Sequence, residues 1–136
     1  MSTCVLCDAG DSPALWRDVT CRIVRAQEQG YPGFLRVILN RHVREMTDLE
    51  ESERTRLMNA VWAAESVVRE LFKPDKVNLA SFGNQVPHLH WHVIARHADD
   101  PHFPEPAWGT PRRAAPAAHA VVTDEQIMAR LAALLG

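Results

Sequence analysis

Three histidines at alternate positions constrain the fold of this chain more than any other feature of its sequence. His88, His90 and His92 lie within the run Pro87-His-Leu-His-Trp-His-Val-Ile94. The residues between and after the histidines are apolar, β-branched or aromatic, as expected of a strand with a core on one side. Successive side chains on a strand alternate between its two faces, so the three imidazoles are predicted to project from one face. That face is a candidate chemical site.

The spacing of the histidines is compatible with two kinds of site. Alternate histidines on a strand can place ring nitrogens around one zinc or iron ion. A neutral imidazole is also a good nucleophile toward phosphorus near pH 7, because its ordinary pKa is about 6.5 and the ring can leave again once phosphorylated. A polar surface face could carry histidines by chance, but three in a row rarely serve packing. Spacing alone therefore leaves metal ligand and nucleophile as equal alternatives.

Composition limits what such a site can act on. The chain has 136 residues, of which 46% are hydrophobic, and a formal net charge of -2. These values are typical of one globular domain with a modest core, and no second domain fits. The 15 basic and 17 acidic residues are dispersed along the chain, so there is no electrostatic footprint for duplex nucleic acid or an anionic membrane. The predicted ligand is a small molecule.

The amino terminus and the cysteines indicate the compartment. The chain does not start with a basic segment followed by a long apolar run, and no stretch approaches about 18 consecutive apolar residues. A cytoplasmic location is therefore predicted. In a reducing compartment, Cys4 and Cys7 are better interpreted as metal-binding or redox-active than as a structural disulfide, whereas Cys21 is interpreted as a small strand residue.

Hydrophobic periodicity predicts a meander of strands interrupted by one long helix. The predicted strands are 14–18, 21–26, 34–40, 76–81 and 88–97. Tyr31-Pro32-Gly33 is predicted to form a turn in which the glycine can adopt positive φ. Thr47-Asp-Leu-Glu50 has the form of a capping box, and apolar residues then recur at helical spacing until Pro74. The helix is therefore predicted over about residues 48–72.

The last third of the chain shows a different pattern. Residues 99–116 contain five prolines, which is too many for regular structure. Thr123-Asp-Glu-Gln126 then opens a short C-terminal helix. This tail is expected to pack on the domain or on a partner subunit.

The segment from Asn78 to Ile94 resembles the signature of the histidine triad (HIT) family, in which three histidines alternate with hydrophobic residues. The resemblance extends upstream through Pro32–His42 and Thr47–Leu49, and it covers about residues 4–104. The chain is most similar to the bacterial HIT domains grouped with diadenosine polyphosphate hydrolases. The implied fold is α+β, with an antiparallel sheet of about five strands, one long helix and a short C-terminal helix.

The resemblance also implies how the chain is organised and assembled. Residues 1–136 are expected to form a single HIT domain, with residues 105–136 contributing the proline-rich loop and the C-terminal helix. Two copies are expected to form a homodimer in which the sheets join into a larger one.

The resemblance assigns roles to the histidines. His90, the central member, would attack the α-phosphorus of a nucleotide and form a covalent nucleotidyl-histidine that water then hydrolyses. His92 would contact the phosphate or the leaving group, and His88 would buttress the site. Imidazole chemistry agrees with a central nucleophile, because flanking residues at two-residue spacing can supply an acceptor that holds the proton on the other ring nitrogen.

Amide side chains near the triad are candidate phosphate ligands. Asn78, Asn84 and Gln85 can donate hydrogen bonds to the non-bridging oxygens, where charge accumulates during phosphoryl transfer. The Asn84-Gln85 pair departs from the family pattern, in which Gln is commonly followed by Ser or Thr. Gln85 is therefore carried over less directly than Asn78.

The implied activity is that of a nucleotide hydrolase or transferase. It would split a phosphoanhydride or phosphoramidate bond at the α-phosphorus of dinucleoside polyphosphates or nucleoside phosphoramidates, and catalysis would require no cofactor. Two alternatives stay open at this point. One is a metal-dependent enzyme in which the triad binds the ion, and the other is a nucleotide-binding protein with little turnover.

Some HIT proteins also hold a structural zinc, and the matching residues are present here. They are Cys4, Cys7, His42 and His88. Two cysteines and two histidines can complete a tetrahedral zinc site, which would tie the amino terminus to the core.

Overall fold

The computed structural model describes residues 3–117 and 119–136. The strands within these residues are β1 (Trp16–Arg17), β2 (Cys21–Arg25), β3 (Phe34–Leu39), β4 (Lys76–Ala80) and β5 (His90–Arg96), and the helices are α1 (Val5–Asp8), α2 (Glu51–Phe72) and α3 (Asp124–Leu135). The described strands form one antiparallel sheet in the order β1-β2-β3-β5-β4. The predicted α+β class and the number of strands are therefore confirmed.

Every strand is shorter than the sequence pattern predicts, and β1 and β5 depart most from their predicted bounds. β1 has only two residues, because Asp18 forms a tight turn in which its Oδ1 accepts from the backbone N–H groups of Thr20 and Cys21. β5 begins at His90 rather than at His88. The His88 N–H donates to the carbonyl of Val86 at 2.8 Å, so the backbone is still turning at the first histidine.

The long helix begins later than the sequence suggests. Thr47 does not cap it, because Met46–Asp48 forms a separate turn of 3-10 helix. The chain is then extended at Leu49, whose side chain is buried in the core. Glu50 is the N-cap, and the capping box joins it to Glu53. The predicted box at Thr47-x-x-Glu50 is therefore wrong by one turn.

Pro74 determines where α2 ends. Lys73 adopts a left-handed conformation with φ 48° and ψ 55° at the C-cap. Pro74 disfavours the right-handed helical region for the residue before it, so the helix ends where it was predicted to end.

The main core lies between α2 and one face of the sheet. From β5, Val93 and Ala95 are buried in this core, and Trp91 packs against it. Gly33 is required for close packing rather than for positive φ, since a Cβ there would lie 2.7 Å from the Ala95 Cβ and 2.9 Å from the Phe72 ring. The positive φ in this turn belongs to Gly30, at 84°.

The other face of the sheet carries His90 and His92, and the segment after β5 folds over one end of it. Phe34 and Ile94 pack there with Tyr31, and Ala107 covers them. The proline-rich segment is therefore irregular, as predicted, but it is packed against the sheet.

The C-terminal helix forms as predicted. Thr123 and Gln126 complete its capping box, and Ile127 and Leu131 are buried against the rest of the domain. None of the helices in the described part of the chain is both long and apolar enough to cross a membrane.

Candidate active site

Two of the three triad histidines share one face of the sheet. His90 and His92 lie on β5, with Ile38 and Arg36 of β3 directly opposite them. Alternation along β5 places both rings on the face away from α2, and their centroids are 5.0 Å apart. The prediction that a single strand face presents the histidines is confirmed for this pair.

His88 departs from that prediction. It precedes β5, its side chain is fully buried, and its Nε2 lies 2.6 Å from the carbonyl oxygen of Leu39. Nδ1 faces the amino-terminal cysteines instead of the other two triad rings. Burial lowers the pKa of His88, which favours the neutral ring. The expectation that three imidazoles project side by side is therefore wrong for His88.

The backbone of His88 nevertheless contacts the central histidine. Nδ1 of His90 lies 2.5 Å from the carbonyl oxygen of His88. A carbonyl only accepts, so Nδ1 carries the proton and donates it. In the neutral ring, Nε2 is then left with its lone pair, which is the state a nucleophile needs.

His92 lies deeper than His90. Its Nδ1 is buried without a hydrogen-bond partner among the described residues. The rings of Phe34, Phe82 and Trp108 surround it with centroids 4.9 to 6.2 Å away. Burial, with further contributions from His90 and Arg36, lowers its pKa to about 4. His92 is therefore neutral near pH 7 and can act as a hydrogen-bonding group.

These histidines line a cavity of about 640 Å³. Its wall combines residues of α1, β3 and β5 with residues of the segments before and after β5. The lining residues are Val5, Leu6, Arg36, Phe82, Gly83, Asn84, Gln85, Val86, His90, His92, Pro106, Trp108 and Gly109. The rings of Phe82 and Trp108 meet edge to face, with centroids 5.0 Å apart. A volume of this size accommodates a small organic ligand.

The three predicted amides are not brought together. Asn84 and Gln85 line the cavity beside the histidines. Asn78 lies outside the cavity lining, and its Oδ1 accepts a hydrogen bond from Arg96 at 2.8 Å. Asn78 is on the histidine face of the sheet, but its cross-strand partner is Ile94. The residue of β4 opposite His92 is Ala80.

Arg96 belongs to a buried charged network that the sequence did not reveal. Its guanidinium donates to Asp100 through Nε at 2.7 Å and through Nη2 at 3.1 Å. Both side chains are almost fully buried. Asp100 also accepts from the backbone N–H groups of Phe103 and His102. The network fixes the segment that carries Trp108 over the sheet.

The four residues predicted to hold zinc do converge. The ligand atoms of Cys4, Cys7, His42 and His88 all lie within 4.8 Å of one another. Each cysteine Sγ lies 3.4 Å from Nδ1 of His88, and the two histidine Nδ1 atoms are 3.2 Å apart. Tetrahedral zinc with ordinary bond lengths would separate sulfur from nitrogen by about 3.6 Å, and two nitrogens by about 3.3 Å. The donor set and its spacing fit a structural zinc ion.

The other cysteine and the other histidines lie apart from both sites. Cys21 is buried in β2, where burial raises its pKa to about 12, so it remains a neutral thiol. His97 stacks on His119, and His102 bonds to the Tyr31 hydroxyl. None of these three histidines lines the histidine cavity or belongs to the cysteine and histidine cluster.

Some cavity residues were not predicted from the sequence. Arg36 could have been found only with the register of β3 against β5, and Val5 and Leu6 only with the position of α1. Trp108 is the exception, because a tryptophan in a proline-rich loop is a sequence signal for a residue that closes over a ligand or a dimer neighbour.

Comparisons with known proteins agree with this geometry. A family model of the HIT domain matches residues 10–99, and the chain belongs to the HIT family. A search of curated proteins finds none that matches. The family's fold is one that binds nucleotides and supports their hydrolysis.

Solved structures match along most of the chain. A histidine triad protein from Bradyrhizobium japonicum is 28% identical, with a TM-score of 0.72, covering 93% of this chain and 92% of that one. One from Marinobacter aquaeolei VT8 is 30% identical, with a TM-score of 0.69, covering 93% and 90%. A third, from Sinorhizobium meliloti 1021, is 23% identical, with a TM-score of 0.69, covering 90% and 88%, and supports the fold alone.

Proposed function

We propose that this protein is a nucleotide hydrolase or transferase that cleaves a phosphoanhydride or phosphoramidate bond at the α-phosphorus of a nucleoside derivative. Its substrates would be dinucleoside polyphosphates or nucleoside phosphoramidates. The observation that carries the proposal is the hydrogen bond from His90 Nδ1 to the His88 carbonyl, inside a ligand-sized cavity.

The reaction would proceed in two steps. Nε2 of His90 attacks the α-phosphorus, a P–N bond to the histidine forms, and the P–O or P–N bond to the leaving group breaks. Water then attacks the same phosphorus, the P–N bond to His90 breaks, and the nucleoside monophosphate leaves. The His88 carbonyl stabilises the positive charge that develops on the His90 ring in the first step.

The neighbouring side chains have supporting roles in this scheme. Asn84 and Gln85 lie where their N–H groups can bind the non-bridging oxygens. The neutral His92 would contact the phosphate, and a bound anion would raise its pKa and let it donate a proton to the leaving group. Asn78 lies outside the cavity lining and its Oδ1 accepts from Arg96, so we assign it the lesser role of supporting the sheet beside His92.

A catalytic metal held by the whole triad is the less favoured alternative. His88 directs its ring at Cys4, Cys7 and His42, and the ring does not converge with those of His90 and His92. We propose instead that the Cys4, Cys7, His42 and His88 cluster holds a structural zinc ion. When bound, the ion would link α1 to the loop before β5.

The assembly and location follow the family resemblance. We propose a homodimer that forms through β4, because β4 is an edge of the sheet and its Leu79 side chain is 37% exposed. Pairing of two such edges would join two sheets into one. We also propose that residues 1–136 act as one domain and that the protein is cytoplasmic, where thiols stay reduced.

Intact-protein mass spectrometry during turnover tests the mechanism. Wild type and His90→Ala are mixed with adenosine phosphoramidate or diadenosine tetraphosphate in the presence of a chelator, while AMP release is followed. We expect a transient adduct of one adenylyl group and AMP release in wild type, and neither in His90→Ala. His119→Ala, an exposed loop variant, is the control and should behave as wild type.

Three other results would each favour a different conclusion. Turnover that stops in chelator and returns with added metal, with no change in the thermal unfolding midpoint, would support a catalytic metal. Tight AMP binding without adduct or turnover would support a binding protein. An adduct that persists in His90→Ala would assign the nucleophile to another residue.

A further inference from the structure

One arginine lies in the wall of the histidine cavity. Arg36 is in the middle of β3, directly opposite His92, and its side chain is on the histidine face of the sheet. Its guanidinium carbon lies 5.2 Å from the centre of the Phe34 ring, on the same face of the same strand. The other β3 side chains on this face, Phe34 and Ile38, are apolar and buried. A cation in this row needs an explanation.

Stability of the fold does not explain this arginine, because the Arg36 side chain makes few stabilising contacts. The one hydrogen bond of its side chain among the described residues is to Glu28 at 3.4 Å, which is long for an ion pair, and Glu28 is half exposed. By contrast, Arg25 donates to Pro32, Val122 and Asp124, and Arg96 donates to Asp100, Asn78 and Glu105, with most of these distances at 3.0 Å or less. Most of the donor capacity of Arg36 is therefore available to a ligand.

The charge of Arg36 is not balanced within the cavity. Among the described residues that line it, Arg36 is the one arginine or lysine, and none is an aspartate or glutamate. The wall around it is largely apolar and aromatic, so a charged hydrogen bond made there is screened less than one on an open surface.

We propose that Arg36 is a specificity-determining residue that binds a second phosphate of the nucleotide, beyond the α-phosphate at His90. A guanidinium presents paired N–H donors that match two phosphate oxygens, so it selects this group over a neutral one. The inference rests on the proposed function, because it assumes that a nucleotide occupies the cavity. It favours nucleotides that carry a second phosphate over nucleoside phosphoramidates with neutral leaving groups.

The second phosphate can come from two places on a nucleotide. It can continue the polyphosphate chain, as in ATP, or it can be attached to the ribose, as in adenosine 2′,5′-bisphosphate. Either group presents anionic phosphate oxygens to Arg36. Comparison of these ligands with AMP separates the two sources.

Calorimetric titration of the full-length protein with AMP, ATP and adenosine 2′,5′-bisphosphate tests the proposal without requiring turnover. The variants are Arg36→Gln, which removes the charge, and Arg36→Lys, which keeps it. Arg56→Gln is the matched control, because Arg56 is exposed on α2 and its loss changes the net charge equally. Thermal unfolding of each variant verifies that it is folded.

We expect wild type and Arg56→Gln to bind at least one of the ligands with an additional phosphate more tightly than AMP, by about 10- to 100-fold. Arg36→Gln should lose that preference while its affinity for AMP changes by less than about threefold, and Arg36→Lys should keep part of it. The preferred ligand identifies the source of the second phosphate. A preference unchanged in folded Arg36→Gln would overturn the proposal, as would equal losses for AMP and the other ligands.

Turnover provides a separate comparison. If the proposed hydrolase activity is correct and ATP is the preferred ligand, kcat/KM of Arg36→Gln should fall more for diadenosine tetraphosphate than for adenosine phosphoramidate. A protein that binds these ligands with the expected preference but cleaves neither substrate would refute the hydrolase while leaving the role of Arg36 intact. If ATP is the preferred ligand in the titrations, equal falls for both substrates would contradict the assignment to a second phosphate of the polyphosphate chain.

Discussion

Replacement of Asp100 by asparagine should destabilise the protein more than any other change of a single carboxylate described above. Asp100 is 3% exposed and faces the equally buried Arg96. The asparagine side chain would keep the shape of the aspartate but would leave the Arg96 guanidinium buried without its counter-charge. Removal of one partner from a buried ion pair typically costs about 3 to 5 kcal/mol.

The titration of Asp100 gives an independent magnitude. Although burial alone would raise its pKa, the hydrogen bonds from Arg96 and from backbone N–H groups outweigh burial and lower the pKa from 3.8 to about 2. A carboxylate with a lowered pKa stabilises the fold above its unfolded pKa, and that contribution is lost as the pH falls from about 4 toward 2. The shift corresponds to about 2 kcal/mol. This value is smaller than the mutational cost because it leaves out the stranded arginine.

Urea unfolding at pH 7 measures the effect directly. With a slope of about 1.5 kcal/mol/M, a loss of about 3 kcal/mol lowers the midpoint by about 2 M. Asp99→Asn is the matched control, because Asp99 is the adjacent residue, is about half exposed, and pairs only with the exposed His119 among the described residues. Its midpoint should move by less than about 0.3 M, since exposed ion pairs contribute little.

The pH dependence separates the ion pair from a packing effect. When the measurement is repeated at pH 3, the difference in unfolding free energy between wild type and Asp100→Asn should narrow by about 1 kcal/mol. Wild type loses part of the stabilisation from the Asp100 carboxylate at this pH, and the asparagine variant has none to lose. A gap below about 1 kcal/mol at pH 7, or one that does not narrow in acid, would refute the reasoning.

Three further predictions follow from other parts of the structure. Burial lowers the pKa of His92 to about 4, so between pH 7 and pH 5 the unfolded chain takes up a proton at this residue that the folded chain does not. In urea titrations over this range, the free energy of unfolding of wild type should fall by about 2 kcal/mol more than that of His92→Gln. Equal losses would contradict the burial argument. Gly33→Ala should cost about 1 to 3 kcal/mol in the same assay, because the added Cβ overlaps Ala95 and Phe72; an unchanged midpoint would show that the strand and helix move apart freely. Cys7→Ser should lose the zinc measured by elemental analysis of purified protein while Cys21→Ala retains it, and equal zinc contents would reject the proposed ligand set.

The alternation of histidines predicted β5 well because a strand has a fixed period of two. The same rule failed at His88, where hydrogen bonds to the carbonyls of Val86 and Leu39 determine the backbone and the ring. These contacts come from a turn and from a distant strand, and periodicity contains no information about either. The start of α2 was displaced for a similar reason, because burial of Leu49 required an extended residue between two helical turns.

The candidate site was predicted only where local pattern sufficed. Asn84 and Gln85 reach the cavity because they lie just before the triad in the chain. Asn78 and Arg36 lie on neighbouring strands, and their positions depend on cross-strand register and on competing partners such as Arg96. A sequence without aligned relatives does not specify register, so these two positions required the structure.

The double attachment of His88 affects how mutations of this residue are interpreted. Its ring joins the cysteine and histidine cluster, while its carbonyl orients the ring of His90. An inactive His88→Ala protein is therefore no evidence that the imidazole touches substrate, since loss of the cluster would displace the carbonyl as well. The informative measurement on such a variant is its metal content beside its activity. For this histidine, a genetic test of catalysis is also a test of folding.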